Sequence, residues 1–207
     1  MPMHSSSPTQ LDGRTRALDR RTWVCALGCC ALLGALQVRA QTPAAKPDDQ
    51  FSRPEVAALK GVVPSAPVRL RVWGFDVYDA RLWTPAGFRY RQATQFPFAL
   101  ELQYLRRLEG AAIASRSIEE MRRVGSLSDA QAQAWLAAMR ELFPNVAAGE
   151  RITGIHWPGV GAEFWVNGQR VGAVKDAAFA RLFFGIWLDE RTSEPKMRTQ
   201  LLQGLQP

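Results

Sequence analysis

The chain has 207 residues, of which 47% are hydrophobic and 22% charged, and its net charge is +7. This length predicts one domain with a sizeable core besides any targeting segment. The basic residues are scattered and are not interleaved with aromatic residues on one face, which argues against nucleic acid as a partner.

The first 40 residues are typical of a secretion signal. Four arginines between residues 14 and 21 precede an uncharged, mostly apolar run at 22–37, and Val38 and Ala40 supply small residues for a signal peptidase. The run is shorter than the roughly 20 residues of a comfortable membrane-spanning helix, so a cleaved signal is favoured over a retained anchor. Arg20-Arg21 also fits a twin-arginine export signal. The sequence therefore predicts a periplasmic protein that begins at Gln41 and has no stable membrane anchor.

Removal of this signal leaves a chain without cysteine. All three cysteines of the sequence lie within it, at positions 25, 29 and 30. Residues 41–207 therefore contain no disulfide, thiolate metal ligand or Cys-His catalytic pair. They keep an excess of only four positive charges, since five of the 26 basic and two of the 19 acidic residues lie in residues 1–40.

The remaining chain is predicted to consist of a flexible leader and one domain. Residues 41–67 are rich in proline, alanine and charge without an apolar period, as expected of a flexible segment. Apolar residues then alternate over 68–73, 75–83 and 96–104, which indicates three strands. The second places Tyr78 on its apolar face, and the third ends its apolar stripe at Tyr104.

Helical and strand patterns follow in blocks. Apolar spacing predicts a helix around Ala114 to Gly125, and a capping box at Ser128 starts another that ends before Pro144. The next elements are a meander of strands at 151–157, 162–166 and 169–174 with a type I′ turn at Asn167-Gly168, then a buried helix at 176–188 and a short helix from Pro195. This order predicts an α+β domain at 68–205, with helices layered on an antiparallel sheet.

Most familiar catalytic sites are absent from the pattern. The only histidine after residue 40 is His156, which falls within a predicted strand and is expected to be structural. The glycines lack the strand-to-helix context of a phosphate-binding loop. The acidic pairs Asp76/Asp79 and Glu119/Glu120 diverge, which argues against two-carboxylate catalysis. The sequence predicts no metal or cofactor.

Two tyrosines and two arginines remain as candidate ligand-binding residues. Tyr78 and Tyr104 lie on apolar faces, and a buried phenol requires a hydrogen-bond partner, which is a protein group, a water or a ligand. Arg69 and Arg71 lie nearby in the chain, before Tyr78.

Three segments resemble the bacterial chalcone isomerase-like family. They are Leu70-Arg71-Val72-Trp73-Gly74-Phe75-Asp76-Val77-Tyr78-Asp79-Ala80-Arg81-Leu82-Trp83, Ala114-Ser115-Arg116-Ser117-Ile118-Glu119-Glu120-Met121 and Phe183-Phe184-Gly185-Ile186-Trp187-Leu188-Asp189. The resemblance covers about residues 68 to 205. It implies an open-faced β-sandwich, in which a large antiparallel sheet carries a layer of helices and a cleft between them holds an apolar ligand.

The resemblance implies two activities, which differ in their residues. Plant chalcone isomerases carry a Tyr, a Lys and an Asn on one helix, and these positions fall at Ala114, Ser117 and Met121 here. Fatty-acid-binding relatives hold a carboxylate with an Arg and a Tyr, which suits Tyr78 with Arg69 or Arg71. We therefore expect a non-catalytic binder of a fatty acid or similar apolar carboxylate. The alternatives are an isomerase of the intramolecular lyase type and an interaction protein whose cleft is filled by its own side chains.

Overall fold

The computed structural model describes residues 53–207, and the predicted signal and cleavage site lie outside this range. Seven strands in this part form one antiparallel sheet, and four α-helices accompany it, which confirms the predicted fold class. The strands are β1 (Val62–Pro64), β2 (Val68–Val72), β3 (Phe75–Pro85), β4 (Phe98–Tyr104), β5 (Arg151–Trp157), β6 (Gly161–Val166) and β7 (Gln169–Val174). The helices are α1 (Gly110–Val124), α2 (Asp129–Leu142), α3 (Ala177–Leu188) and α4 (Pro195–Leu201).

The long strand β3 organises one edge of the sheet. The strand order is β1-β3-β4-β5-β6-β7, and β2 also pairs with β3. β1 pairs with the last residues of β3, whereas β2 pairs with its first half, where Leu70 lies opposite Tyr78. On the other side of β3, Tyr78 lies opposite Tyr104 of β4. This register brings the two predicted tyrosines onto adjacent strands.

The β5 to β7 meander matches the sequence prediction closely. The predicted bounds of β5 and β7 are the observed ones, and β6 begins one residue earlier than expected. The turn at Asn167-Gly168 has φ angles of 50° and 81°, the positive values that a type I′ hairpin requires. Hydrophobic alternation and a specific turn pair therefore suffice to define this part of the sheet.

Capping residues begin two of the helices. At α2 the predicted capping box is present, since the Gln131 backbone N–H donates to the Ser128 hydroxyl and the Ser128 N–H donates to the Gln131 side chain, each at 3.2 Å. At α3 the Asp176 carboxylate accepts backbone hydrogen bonds at 2.8 and 3.2 Å. Its second oxygen accepts a hydrogen bond from Trp135 of α2 at 3.1 Å, which ties the two helices together.

Helix α3 is buried on most of its surface, as its sequence predicts. It packs against the sheet on one side and against α1 on another. Gly185 permits the contact with α1, because a Cβ atom there would lie 2.5 Å from Cγ1 of Val124. The main core lies between the helices and one face of the sheet.

The opposite face of the sheet carries a segment that the sequence prediction assigned to a flexible leader. Residues 54–56 form a 3-10 turn, and Val56 and Leu59 pack in a second apolar cluster with Trp83, Ala99 and Ile155. The fully buried Glu55 carboxylate accepts hydrogen bonds from Arg151 at 3.2 Å and from Thr153 at 3.3 Å. Arg53 donates to Glu101 of β4 at 2.6 Å. The leader prediction is therefore wrong for residues 53–67, because long-range ion pairs and a few apolar contacts anchor a segment whose local pattern is polar.

Within the described residues, no helix has the length and apolar character needed to cross a membrane.

Candidate functional site

A cavity of about 590 Å³ lies between the sheet and the helix layer. Its walls come from β2, β3, β4, β5, α1 and α3, with contributions from Leu108, Phe143 and residues 193 and 194 before α4. Most of the lining is apolar, and the apolar lining side chains are Leu70, Val72, Trp73, Val77, Leu102, Leu108, Ala112, Ile113, Phe143, Ile152, Phe183 and Ile186. Such a cavity suits an apolar or amphipathic molecule.

Tyr78 is one of the polar groups that line this cavity. Its ring meets that of Tyr104 edge-on, with 6.1 Å between centroids. Its hydroxyl accepts a hydrogen bond of 3.0 Å from the indole N–H of Trp187 on α3. Among the described residues, no group accepts the proton of the Tyr78 hydroxyl. The phenol therefore retains a donor for a ligand atom that accepts a hydrogen bond.

The surroundings keep this phenol neutral. Desolvation by the protein is the main cause that raises the pKa of Tyr78 well above its usual value, and the carboxylates of Glu194 and Glu120 raise it further. The hydrogen bond from Trp187 and the charge of Arg116 act in the opposite direction. Tyr78 is therefore a hydrogen-bond donor, and not a phenolate, at neutral pH.

Tyr104 also lines the cavity and lies opposite Tyr78 on the adjacent strand. It is 2% exposed, and burial raises the pKa of its hydroxyl well above the usual range. The described part of the chain supplies no hydrogen-bond partner for this hydroxyl. Both predicted tyrosines thus line the same cavity and remain protonated.

The charged groups of the cavity lie on helix α1 and just before α4. Arg116 and Glu120 are one helical turn apart, and the Arg116 guanidinium contacts the Glu120 carboxylate. Arg116 also donates to Glu119 at 3.1 Å, and Nε of Arg123 lies 3.5 Å from the second oxygen of Glu120. Glu194 adds another carboxylate to the lining. The Arg116 side chain is 62% exposed, whereas that of Glu120 is 6% exposed, so the arginine connects the cavity with solvent.

Arg69 and Arg71 do not line the cavity. Arg69 pairs with Asp79 at 2.8 Å and with Asp76 at 2.9 Å, and Arg71 pairs with Asp76 at 2.6 Å. The alternation of β2 explains this placement, because it directs Leu70 into the cavity and its neighbour Arg69 to the opposite face. These two arginines are therefore not positioned to hold a head group beside Tyr78, and Arg116 is the arginine that the fold brings there.

The remaining candidates occupy structural positions. His156 is buried, stacks on Phe98 with 4.9 Å between centroids, and its Nδ1 lies 2.9 Å from the carbonyl oxygen of Phe96. Ala114 and Met121 lie in the core, whereas Ser117 reaches the cavity lining. Residues 53–207 contain no group of three or more His, Cys, Asp or Glu side chains placed to hold a metal ion.

Sequence reasoning missed Arg116, Glu120 and Trp187 as cavity residues. Arg116 and Glu120 lie at a spacing of four on α1, outside the apolar period of Ala114, Ile118 and Met121, so the helix pattern gave no signal for them. Trp187 was recognised only as an apolar residue of a buried helix. Its N–H requires a partner, and the structure supplies it from Tyr78, which is 109 residues away in the chain.

The model of the chalcone isomerase-like family matches residues 63–203. An uncharacterized protein of Haemophilus influenzae is 31% identical over 131 residues, and the match spans 63% of this chain and 63% of that relative's length. The crystal structure of a fatty-acid binding protein of Arabidopsis thaliana superimposes with a TM-score of 0.51 at 15% identity, over 67% of this chain and 84% of that one. This likeness shows a common fold. The family match extends from β1 to the residues after α4, and the chain therefore belongs to the chalcone isomerase-like family.

Proposed function

We propose that this protein is a non-catalytic binder of a fatty acid or a similar apolar carboxylate. One observation carries the proposal: Tyr78 holds a neutral hydrogen-bond donor, already oriented by Trp187, inside a largely apolar cavity. A ligand with an oxygen acceptor at one end and an apolar tail satisfies both features. The fatty-acid binding protein with the same fold supports this ligand class.

The size and walls of the cavity match the tail of such a ligand. Its volume of about 590 Å³ lies within the range of small-molecule sites. Each methylene transferred from water to these walls contributes about 0.8 kcal/mol. The tail would lie along Leu102, Ile152 and Phe183, between the sheet and the helices.

The head group would be held by Tyr78 and Arg116. A carboxylate that receives hydrogen bonds from a phenol and a guanidinium gains charge-assisted interactions. Arg116 already contacts Glu119 and Glu120, so a ligand carboxylate would share this guanidinium with them. This arrangement favours a head group that approaches the guanidinium from its exposed side, opposite its contact with Glu120.

The second candidate is an isomerase of the intramolecular lyase type. The specific observation in its favour is the Arg116-Glu120 pair close to Tyr78, because a cluster of charged groups at a cavity mouth is typical of enzymes. The raised pKa of Tyr78 makes it a poor base and a useful hydrogen-bond donor. The open cavity argues against the third candidate, an interaction protein with a self-filled cleft.

We also propose that the protein acts in the periplasm after cleavage of its signal. The arginine-rich start, the apolar run at 22–37 and the small residues before Gln41 support this location.

Calorimetric titration with a series of saturated fatty acids tests the binding proposal. Shortening the chain by two methylenes should cost about 1.6 kcal/mol, or about fifteen-fold in Kd. A matched series of alcohols would show the contribution of the carboxylate. Mass spectrometry of small molecules extracted from the purified protein would identify a co-purified ligand. If no carboxylate binds below about millimolar, or if affinity is independent of chain length, the proposal fails.

A further inference from the structure

The turn between β2 and β3 exposes large apolar side chains to solvent. Trp73 is 94% exposed, Phe75 is 62% exposed and Val72 is 37% exposed. We call residues 72–75 the hairpin tip. An isolated exposed apolar residue is ordinary, but three within four positions, including a tryptophan, form a patch that requires an explanation.

The backbone of the hairpin tip has a conformation that is unusual for a tryptophan. Trp73 has a φ angle of 50° and Gly74 one of 84°. The left-handed conformation is uncommon for a bulky residue, and Asn or Gly is the usual choice at the first position of such a turn. Since Trp73 contributes no burial to the core, neither packing nor turn preference accounts for a tryptophan there.

Arginines lie next to the hairpin tip. Arg71 is exposed next to it, and the Arg106 guanidinium lies 5.3 Å from the centroid of the Phe75 ring. Arg107 is also exposed, and within the described residues neither Arg106 nor Arg107 forms an ion pair with a carboxylate. Arg69 and Arg71 are paired with Asp76 and Asp79, so the uncompensated positive charge near the tip is that of Arg106 and its chain neighbour Arg107.

The hairpin tip adjoins the cavity. Val72 and Trp73 belong to both the exposed patch and the cavity lining, and Leu70 continues the wall inward. The exposed patch and the cavity wall therefore form one continuous apolar surface.

We propose that the hairpin tip inserts into the surface of an anionic lipid bilayer, so that the cavity opens onto the membrane. Tryptophan and phenylalanine prefer the boundary between head groups and acyl chains, and the neighbouring arginines complement anionic head groups. The occupant of this patch is thus a lipid surface. The inference goes beyond the proposed function, because membrane docking is measurable whether or not a carboxylate binds in the cavity.

Co-sedimentation with vesicles tests the inference. The protein is prepared in the form that its host produces, and all variants are compared in that form, so that any contribution of residues 22–37 is common to them. The vesicles contain either phosphatidylglycerol with phosphatidylethanolamine, or phosphatidylcholine alone. Wild-type protein should bind the anionic vesicles more strongly, and lipids brominated on their acyl chains should quench its tryptophan fluorescence.

Two double variants and a matched control separate the contributions. Trp73→Ser with Phe75→Ser should lower the partition coefficient about ten-fold or more, because it removes the inserted side chains. Arg106→Gln with Arg107→Gln should reduce the preference for anionic vesicles and its dependence on salt. Val63→Ser with Val160→Ser removes apolar side chains that are 66% and 56% exposed elsewhere and should have no effect.

Three results would overturn the inference. The first is equal binding of wild type and the Trp73→Ser, Phe75→Ser variant to anionic vesicles. The second is the absence of any vesicle binding by wild type. The third is a wild-type protein that self-associates but does not bind vesicles, with the self-association lost in the Trp73→Ser, Phe75→Ser variant. That result would identify a second copy of the chain as the occupant of the patch. Circular dichroism of each variant verifies that it is folded.

Discussion

The indole N–H of Trp187 donates a hydrogen bond to the hydroxyl of Tyr78 at 3.0 Å, which joins helix α3 to strand β3 across one end of the cavity. This bond orients the phenol and leaves its proton available to a ligand. It also satisfies a buried donor of α3, since Trp187 is 7% exposed. The same contact therefore stabilises the fold and orients the phenol that we propose binds the ligand.

Substitution of Tyr78 by Phe should separate these two contributions. Carboxylate affinity should fall about ten-fold, because one charge-assisted hydrogen bond is lost while the ring remains. The free energy of unfolding should fall by about 1–3 kcal/mol, since the Trp187 N–H loses its partner. Calorimetry and urea denaturation measure the two effects.

Tyr104→Phe is the matched control for stability. Its hydroxyl has no partner among the described residues, so its removal should change the free energy of unfolding much less than Tyr78→Phe does. Tyr90→Phe, outside the cavity lining, should change neither quantity. Equal destabilisation by all three variants would contradict the role assigned to the Tyr78-Trp187 bond.

Arg116→Gln should weaken fatty-acid binding, whereas Arg69→Gln should leave it unchanged. Arg116 borders the cavity, and its loss removes the guanidinium proposed to share the ligand carboxylate. The expected loss is about ten-fold or more. Arg69 is the matched control, because it is an arginine that pairs with carboxylates outside the cavity. If Arg69→Gln lowered fatty-acid affinity more than Arg116→Gln did, the sequence-based assignment of Arg69 to the head group would be favoured again.

These arginines show where sequence interpretation reaches its limit. Strand alternation correctly placed Tyr78 and Tyr104 on apolar faces, because a period of two is a local property of the chain. The assignment of Arg69 and Arg71 to the head group relied on their proximity to Tyr78 in sequence. Alternation places Arg69 on the face opposite Leu70, and a register shift in the ladder follows between Leu70 and Arg71.

The missed features depend on contacts between distant segments. Which face of α1 meets the cavity is decided by its packing against α3, so the role of Arg116 is not apparent from the helix itself. Glu55 is held by Arg151 and Thr153, 96 and 98 residues away in the chain. A buried ion-pair cluster of this kind has the same local composition as an exposed loop.

The purified protein should not accelerate the cyclisation of a chalcone to a flavanone measurably. By the resemblance in sequence, the positions of the polar catalytic side chains of plant chalcone isomerases fall at Ala114, Ser117 and Met121. Of these three, Ser117 lines the cavity, and its hydroxyl donates to the backbone carbonyl of Ile113 at 2.9 Å. Absorbance spectroscopy of chalcone consumption measures the rate. Turnover well above the uncatalysed rate that is lost in Tyr78→Phe would favour the isomerase.

Protein recovered from its native host should begin at or near Gln41. Ala40 completes the predicted cleavage site after the apolar run at 22–37. Amino-terminal sequencing or intact-mass measurement of the periplasmic fraction checks this expectation. An intact amino terminus on protein from the membrane fraction would instead indicate a retained anchor.

Acid should destabilise the protein through His156. Burial is the main cause that lowers the pKa of this imidazole, and its hydrogen bond to the Phe96 carbonyl acts in the opposite direction. The folded state therefore binds the proton less readily than the unfolded state does. The stabilisation is present above the unfolded pKa of about 6.5 and is lost as the pH falls through the lower folded pKa. Urea denaturation between pH 8 and pH 5 should show a falling free energy of unfolding, with a slope of at most about 1.4 kcal/mol per pH unit from this residue.

His156→Gln should be less stable at neutral pH, because it loses the stacking on Phe98, but its stability should depend less on pH in this window. Asp76 and Asp189 do not contribute there, since their pKa values are lowered from an already acidic range. An identical pH dependence in wild type and His156→Gln would show that another group is responsible.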